Sequence, residues 1–163
     1  KKGDFNNAVH SFLKTIRIRP EDSNALNMLG VAYFKKGNIK SSISYYLKAI
    51  KLNPEEKSFR LFLAKSLYHI NEKTSYLESV KILWSYIKED DFPYEAWHYL
   101  GLNYGKLKKP DFSSYALAEK YLLVNELKNA KMHIKRVKKI SKDKVLLNKV
   151  TDLEKEIRKR ENR

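Results

Sequence analysis

One spacing constrains this chain more than any other. Gly3 precedes Gly37 by 34 residues, and Pro20 precedes Pro54 by the same 34. Ala8 and Phe12 stand one period before Ser42 and Tyr46. A register of glycine, aromatic and proline at this period is the mark of a helical solenoid, in which each unit is a pair of helices. The stretch Ser23–Glu56, SNALNMLGVAYFKKGNIKSSISYYLKAIKLNPEE, shows why. Leu26, Leu29 and Tyr33 fall on one stripe of a first helix. Gly30 has no side chain, so a second helix can approach closely there. Gly37-Asn38 breaks the chain. Ile39, Ile43, Tyr46, Leu47 and Ile50 then return across the first helix, and Pro54 ends the second and suits the start of the next. Such a pair cannot bury its apolar face alone and must stack on neighbours.

The succession Leu26, Leu29-Gly30, Tyr33, Ser42, Tyr46, Ala49, Pro54 resembles the tetratricopeptide repeat (TPR). Leu takes the usual Trp place, and Ser and Tyr take the later Ala and Phe places. The resemblance implies an all-α, right-handed solenoid of antiparallel helix pairs, with about nine helices and a C-terminal capping helix. We expect a single domain over residues 1–163. Residues 1–22 hold the second helix of a repeat whose first helix is not in the sequence; its stripe of Val9, Phe12, Leu13 and Ile16 is expected to lie open to dimer contacts. Residues 23–56 are a full repeat. Residues 57–93 are a longer one, with Leu63-Ala64 and Leu67 in the Leu-Gly and Tyr places and Asn71-Glu72 as the break. Residues 94–110 form a first-type helix with the full pattern Trp97-x-x-Leu100-Gly101-x-x-Tyr104. Residues 111–142 form a further repeat, in which Leu117, Ala118 and Tyr121 look like first-helix positions and Ala130, Ile134 and Val137 like second-helix positions. Two first-type helices would thus follow one another, and the pairing over 94–124 stays open. Residues 143–163 form the cap, with Leu146, Val150, Leu153 and Ile157 on one stripe.

Composition excludes several classes of function. The chain has no cysteine, which excludes disulfides and thiolate metal sites. No apolar run approaches the roughly 20 residues of a membrane span, and nothing resembles a signal-peptide core. The sequence opens Lys-Lys-Gly without Met, in mid-repeat, as an excised or processed chain would. The net charge of +15 would favour acidic proteins, anionic lipid or nucleic acid. Its 27 lysines against 7 arginines, beside many Asn, Ile and Tyr, instead read as AT-rich coding bias. Bidentate phosphate recognition would call for arginine, which argues against nucleic acid. Lys128, Lys131, Lys135, Arg136, Lys138 and Lys139 form the basic patch on which a nucleic-acid or anionic-lipid reading would rest.

Reaction chemistry is not legible. There is no His-Glu-x-x-His and no Gly-rich phosphate loop, and His10, His69, His98 and His133 fall on separate helices without a ligand partner close in sequence. Glu95 and His98, three apart, read as a surface pair. The reading is a non-enzyme with no catalytic or metal residues and no cofactor.

A narrower resemblance runs from Pro93 to Arg158. AWHYLGLNYGKL, ALAEKYLL, NAKMHIKRVKKI and VTDLEKEI, in that order, resemble the C-terminal TPR domain of BepA-type periplasmic zinc metalloproteases. This resemblance implies a non-catalytic tail in the periplasm. It would engage outer-membrane proteins, their assembly machinery or its own upstream protease domain, where any zinc would reside. Without it, the reading is a free-standing cytoplasmic TPR scaffold. Either way the partner is a protein or peptide segment. In the TPR family, repeat positions two, five, nine and twelve line a concave groove. They correspond here to Asn24, Asn27, Val31 and Phe34, then Ser58, Leu61, Lys65 and Tyr68, then Glu95, His98 and Leu102. The paired Lys-Asn and Lys-Arg set of chaperone-cofactor TPRs is missing, so an extended apolar-polar segment or a docked helix suits this lining better than an acidic C-terminus. Asn24 and Asn27 could hydrogen-bond a peptide backbone.

Overall fold

A computed structural model describes residues 2–162, with side chains from Phe5 onward. Among the described residues there are nine α-helices and no strand: α1 (Lys2–Ile18), α2 (Ser23–Lys35), α3 (Ile39–Leu52), α4 (Lys57–Ile70), α5 (Lys73–Glu89), α6 (Tyr94–Lys106), α7 (Pro110–Leu123), α8 (Leu127–Ile140) and α9 (Lys144–Glu161). Gly3, one period before Gly37, falls inside α1; its surroundings lie outside the described side chains. The helices group into two compact units, Lys1–Ile82 and Leu83–Arg163, divided inside α5.

Local chemistry sets the helix ends. The Asp22 carboxylate accepts from the Ala25 N–H, the Asn38 amide oxygen from Ser41, and the Asp143 carboxylate from Leu146. Each satisfies a donor that the first helical turn leaves unpaired. Gly37 turns the chain at φ +83°, and Asn71, Lys108 and Asn125 do so in the left-handed region at φ 64°, 56° and 57°. Asparagine tolerates that region, so Asn71 and Asn125 serve where the repeat pattern has glycine.

In the first unit, α1 packs against α2: Val9 is buried with Leu29 and Ala32, and Phe12, Leu13 and Ile16 are partly buried against them. The stripe expected to lie open is therefore partly covered by its own chain, because the short turn after Ile18 brings α2 directly back across it. The α2–α3 pair closes at Gly30, where a Cβ would lie 2.6 Å from Cε1 of Tyr46. α4 then lays Phe59 against Leu26 and Ala49, and Leu63 and Leu67 against Tyr46. Ser42 and Ser66 share a buried hydrogen bond of 3.1 Å between α3 and α4.

The second unit corrects one expectation. α7 is not a second first-type helix. It packs against α6 with Leu117 over Gly101, where a Cβ would meet Leu117 Cγ at 3.1 Å, just as Tyr46 covers Gly30. Ser113 Oγ also donates to the Gly101 carbonyl at 2.8 Å. α7 is thus the second helix of the repeat that α6 begins. α8 buries Ala130, Ile134 and Val137, and α9 lies against α8 and α7 with Leu146, Val150 and Ile157 buried.

Candidate partner-binding site

The first unit carries an apolar cavity on the face shared by α2 and α4. It encloses about 100 Å³ and is lined by Val31, Phe34 and Lys35 of α2, Tyr46 of α3, and Phe62 and Lys65 of α4. That is about the liquid volume of three waters, enough for one branched aliphatic side chain. Tyr46 is only 1% exposed, and its ring stacks on Phe62 with centroids 5.8 Å apart. Burial pushes the Tyr46 phenol up to about 12, with the Ser42 hydroxyl pulling the other way. Lys65 holds its ammonium 5.5 Å from the Phe62 ring centroid. Beyond Phe34 the aromatic lining continues: His69 meets Phe34 edge-on at 5.2 Å and Tyr68 at 5.2 Å, and Tyr68 approaches Tyr76 at 5.9 Å. Burial lowers the His69 pKa, so its imidazole stays neutral further into the acid range.

The sequence-derived groove residues do not all reach this place. Val31, Phe34 and Lys65 come together at the cavity, and Tyr68 joins its rim through His69. Asn24 is exposed in the first turn of α2. Ser58, in the first turn of α4, donates its backbone N–H to the Glu56 carboxylate at 3.1 Å. Asn27 and Leu61 are only 7% and 9% exposed, so they lie in the packing rather than on an open lining. The Asn27 amide oxygen is buried without a hydrogen-bond partner. In the second unit, Glu95 is exposed, and His98 and Leu102 are half-buried along α6. Lys35, Tyr46 and Phe62 line the cavity and were absent from the sequence-derived set. Phe62 could have been found, since it sits three residues before Lys65 on the same helical face.

The basic patch is only partly uncompensated. Lys131 pairs with Glu161 at 2.6 Å and Lys138 with Glu154 at 2.9 Å, while Lys128, Lys135, Arg136 and Lys139 are exposed. Beneath the patch, His133 stacks on Tyr121 at 5.5 Å, and the buried Lys120 ammonium lies 4.7 Å from the Tyr121 centroid and 5.2 Å from that of Tyr94. Burial, then the nearby Arg136 and Lys120 cations, lower the His133 pKa. Between α7 and α9, burial raises the Glu119 pKa against the opposing pull of the Tyr115 hydroxyl, which donates to it at 2.5 Å, and of Lys149. Among the described residues no three His, Cys, Asp or Glu side chains are placed to hold a metal, and no helix is long and apolar enough to cross a membrane.

The tetratricopeptide repeat family model matches residues 23–56. That stretch is a tetratricopeptide repeat. The chain also superposes over nearly its whole length on solved structures. The crystal structure of MamA is 19% identical, with a TM-score of 0.69 over 99% of this chain and 91% of that one. The MamA RS-1 ArsTM double mutant is also 19% identical, at 0.72 over 94% and 87%. TTC0263, a thermophilic TPR protein in Thermus thermophilus, is 17% identical, at 0.59 over 93% and 91%. At such identities the likeness establishes the fold, an all-helical solenoid of the TPR type. No curated protein matches the chain significantly. These matches speak for the repeat and the fold, not for the narrower BepA-type resemblance.

Proposed function

We propose that this TPR chain is a protein-interaction module with no reaction centre of its own. On this reading, the α2–α4 face holds an extended partner segment by one apolar side chain. The observation that carries it is the cavity itself: Val31, Phe34, Tyr46 and Phe62 offer a desolvated socket, and Lys35 and Lys65 stand at its rim. A buried aromatic socket with a charged rim is the arrangement in which one anchor residue supplies most of the binding energy. The two lysines favour a carboxylate beside that anchor. A photo-crosslinking aromatic amino acid at Phe34 tests this in the cells that make the protein. A defined protein adduct should form from Phe34, should vanish when Val31→Glu is added, and should not form from the same group at exposed Lys40. Adducts of the same pattern from both positions would refute the reading.

The finer proposal is that the chain is the non-catalytic tail of a BepA-type periplasmic metalloprotease. It rests on the four segments between Pro93 and Arg158. The coding sequence upstream of Lys1 decides it. A secretion signal and a His-Glu-x-x-His domain support the protease parent and the periplasm. An upstream sequence with neither leaves the free-standing cytoplasmic scaffold.

A further inference from the structure

We propose that the α8–α9 face is a second docking surface, built for an acidic amphipathic helix of a partner protein, with one of its carboxylates taken between Lys135 and Arg158. The two helices leave a groove of about 560 Å³ with Ile134 and Ile157 in its lining. Lys131, Lys135 and Lys138 follow one another at helical spacing along the α8 wall, and Glu154, Arg158 and Glu161 do so along the α9 wall. The bridges Lys131–Glu161 and Lys138–Glu154 fix an antiparallel register and tie the walls together at both ends. In that register Lys135 falls opposite Ile157, next to Arg158, and both cations line the groove between the two bridges. The middle of the groove therefore sets cation against cation. Both are exposed, and neither has an ion pair among the described residues. Like charges so placed repel, and an anion entering between them relieves that repulsion.

The occupant follows from two further observations. In the first unit, the α2–α3 pair is covered by α4, which lays Phe59, Leu63 and Leu67, spaced four apart, onto it. Among the described residues only α8 and α9 line this groove; Ile134 and Ile157, each 1% exposed, show just their edges at its floor, and the aliphatic stems of Lys131, Lys135 and Lys138 supply the rest of its apolar wall. A helix with a four-residue aliphatic stripe fits such a concavity. Glu161 and Glu154 already occupy Lys131 and Lys138, so the groove leaves only its central cations for an anion, which suits one discrete carboxylate better than a continuous phosphate backbone. A second copy of this chain is disfavoured by the mutual repulsion of two +15 molecules.

The test uses a stapled, fluorescent peptide with the α4 sequence Lys57–Ile70 carrying Lys57→Glu, Arg60→Glu and Lys65→Glu, and the unaltered α4 peptide as its basic counterpart. Anisotropy against the 163-residue protein should show binding of the acidic probe. Lys135→Glu/Arg158→Glu should weaken it about tenfold or more, while Lys40→Glu/Lys51→Glu, the same change in net charge, should leave it within about twofold. The basic peptide should reverse the preference and bind the Lys135→Glu/Arg158→Glu protein. Methyl resonances of Ile134 and Ile157 in the unmutated protein should shift on adding the acidic probe, a readout that does not depend on any variant folding. No binding of the acidic probe, equal weakening by both double variants, or binding with both isoleucine methyls unmoved would each overturn the proposal. A heparin fragment that binds with the same dependence on Lys135 and Arg158 would overturn the choice of a protein partner.

Discussion

In the α2–α3 pair Gly30 faces the ring of Tyr46; in the α6–α7 pair Gly101 faces the isobutyl group of Leu117. The missing Cβ would lie 2.6 Å from the ring in the first and 3.1 Å from Leu117 Cγ in the second. The serines in the first turns of the second helices also diverge. Ser42 reaches forward to Ser66 on α4, whereas Ser113 reaches back to the Gly101 carbonyl of its own pair. The same glycine device thus closes both pairs, but the first is filled by a rigid ring that also floors a cavity, and the second by a flexible side chain and a local hydrogen bond. Tyr46 couples packing to a surface feature. Leu117, half-buried, serves only the pair.

The largest test of that difference is truncation. Tyr46→Ala should cost about 3–5 kcal/mol, the range for deleting a buried aromatic. Leu117→Ala, at a half-buried site, should cost roughly half as much. Urea denaturation checks both, and equal losses would break the comparison.

Alkali gives the next largest effect. The Tyr46 phenol rises from 10.0 to about 12 on burial. Below pH 10 it is neutral in both states, so its contribution to stability is complete there. As pH rises from about 10 to 12, the unfolded chain ionises first and stability falls, by roughly 2–3 kcal/mol at the upper end. Tyr46→Phe should remove that share of the alkaline loss. Some loss should remain, because burial raises Tyr104 and Tyr115 in the second unit as well. Urea midpoints at pH 9 and pH 11 read the difference between the two proteins, and identical slopes would count against a buried Tyr46 hydroxyl.

Glycine replacement follows in size. Gly30→Ala pushes a methyl into a ring that cannot swing away. The overpacking cost of about 1–3 kcal/mol outweighs the helix-propensity gain of about 1 kcal/mol. At Gly101 the neighbour is flexible Leu117, which can yield a few tenths of an ångström. Gly101→Ala should therefore lie within about 1 kcal/mol of neutral. Thermal melts that place Gly101→Ala below Gly30→Ala would reverse the assignment of rigid and flexible partners.

Much of this was legible in the sequence, for identifiable reasons. Leu26, Leu29, Gly30 and Tyr33 announce a first helix because glycine at that place has one physical use, close approach. The Trp97 to Tyr104 pattern announces α6 in the same way. The role of α7 was not legible, because Leu117, Ala118 and Tyr121 have the spacing of a buried stripe on either type of helix. The pairing became visible only through Gly101 against Leu117. The left-handed turn at Lys108 carries no local signal, since lysine is not a residue that favours it. Of the groove positions, Asn27 and Leu61 turned out buried, while Tyr46 and Phe62 reached the cavity; one-dimensional spacing cannot say how far a ring extends past its neighbour. Lys131 and Lys138 looked like open charge because Glu161 and Glu154 lie 30 and 16 residues away.

The two serines offer the finest discrimination. Ser42 is fully buried, and Ser42→Ala would strand the Ser66 hydroxyl in the interior. A buried polar group left without its partner costs about 1–3 kcal/mol. Ser113 is half-buried, and the Gly101 carbonyl it meets lies in mid-helix, where the α6 backbone already supplies a donor. Ser113→Ala should therefore cost only about 0.5–1 kcal/mol. The double variant Ser42→Ala/Ser66→Ala should recover part of the Ser42 loss, because no hydroxyl is then stranded. If Ser113→Ala proves as costly as Ser42→Ala, the α6–α7 pair depends on its hydrogen bond, and Leu117 packing is not what holds it closed.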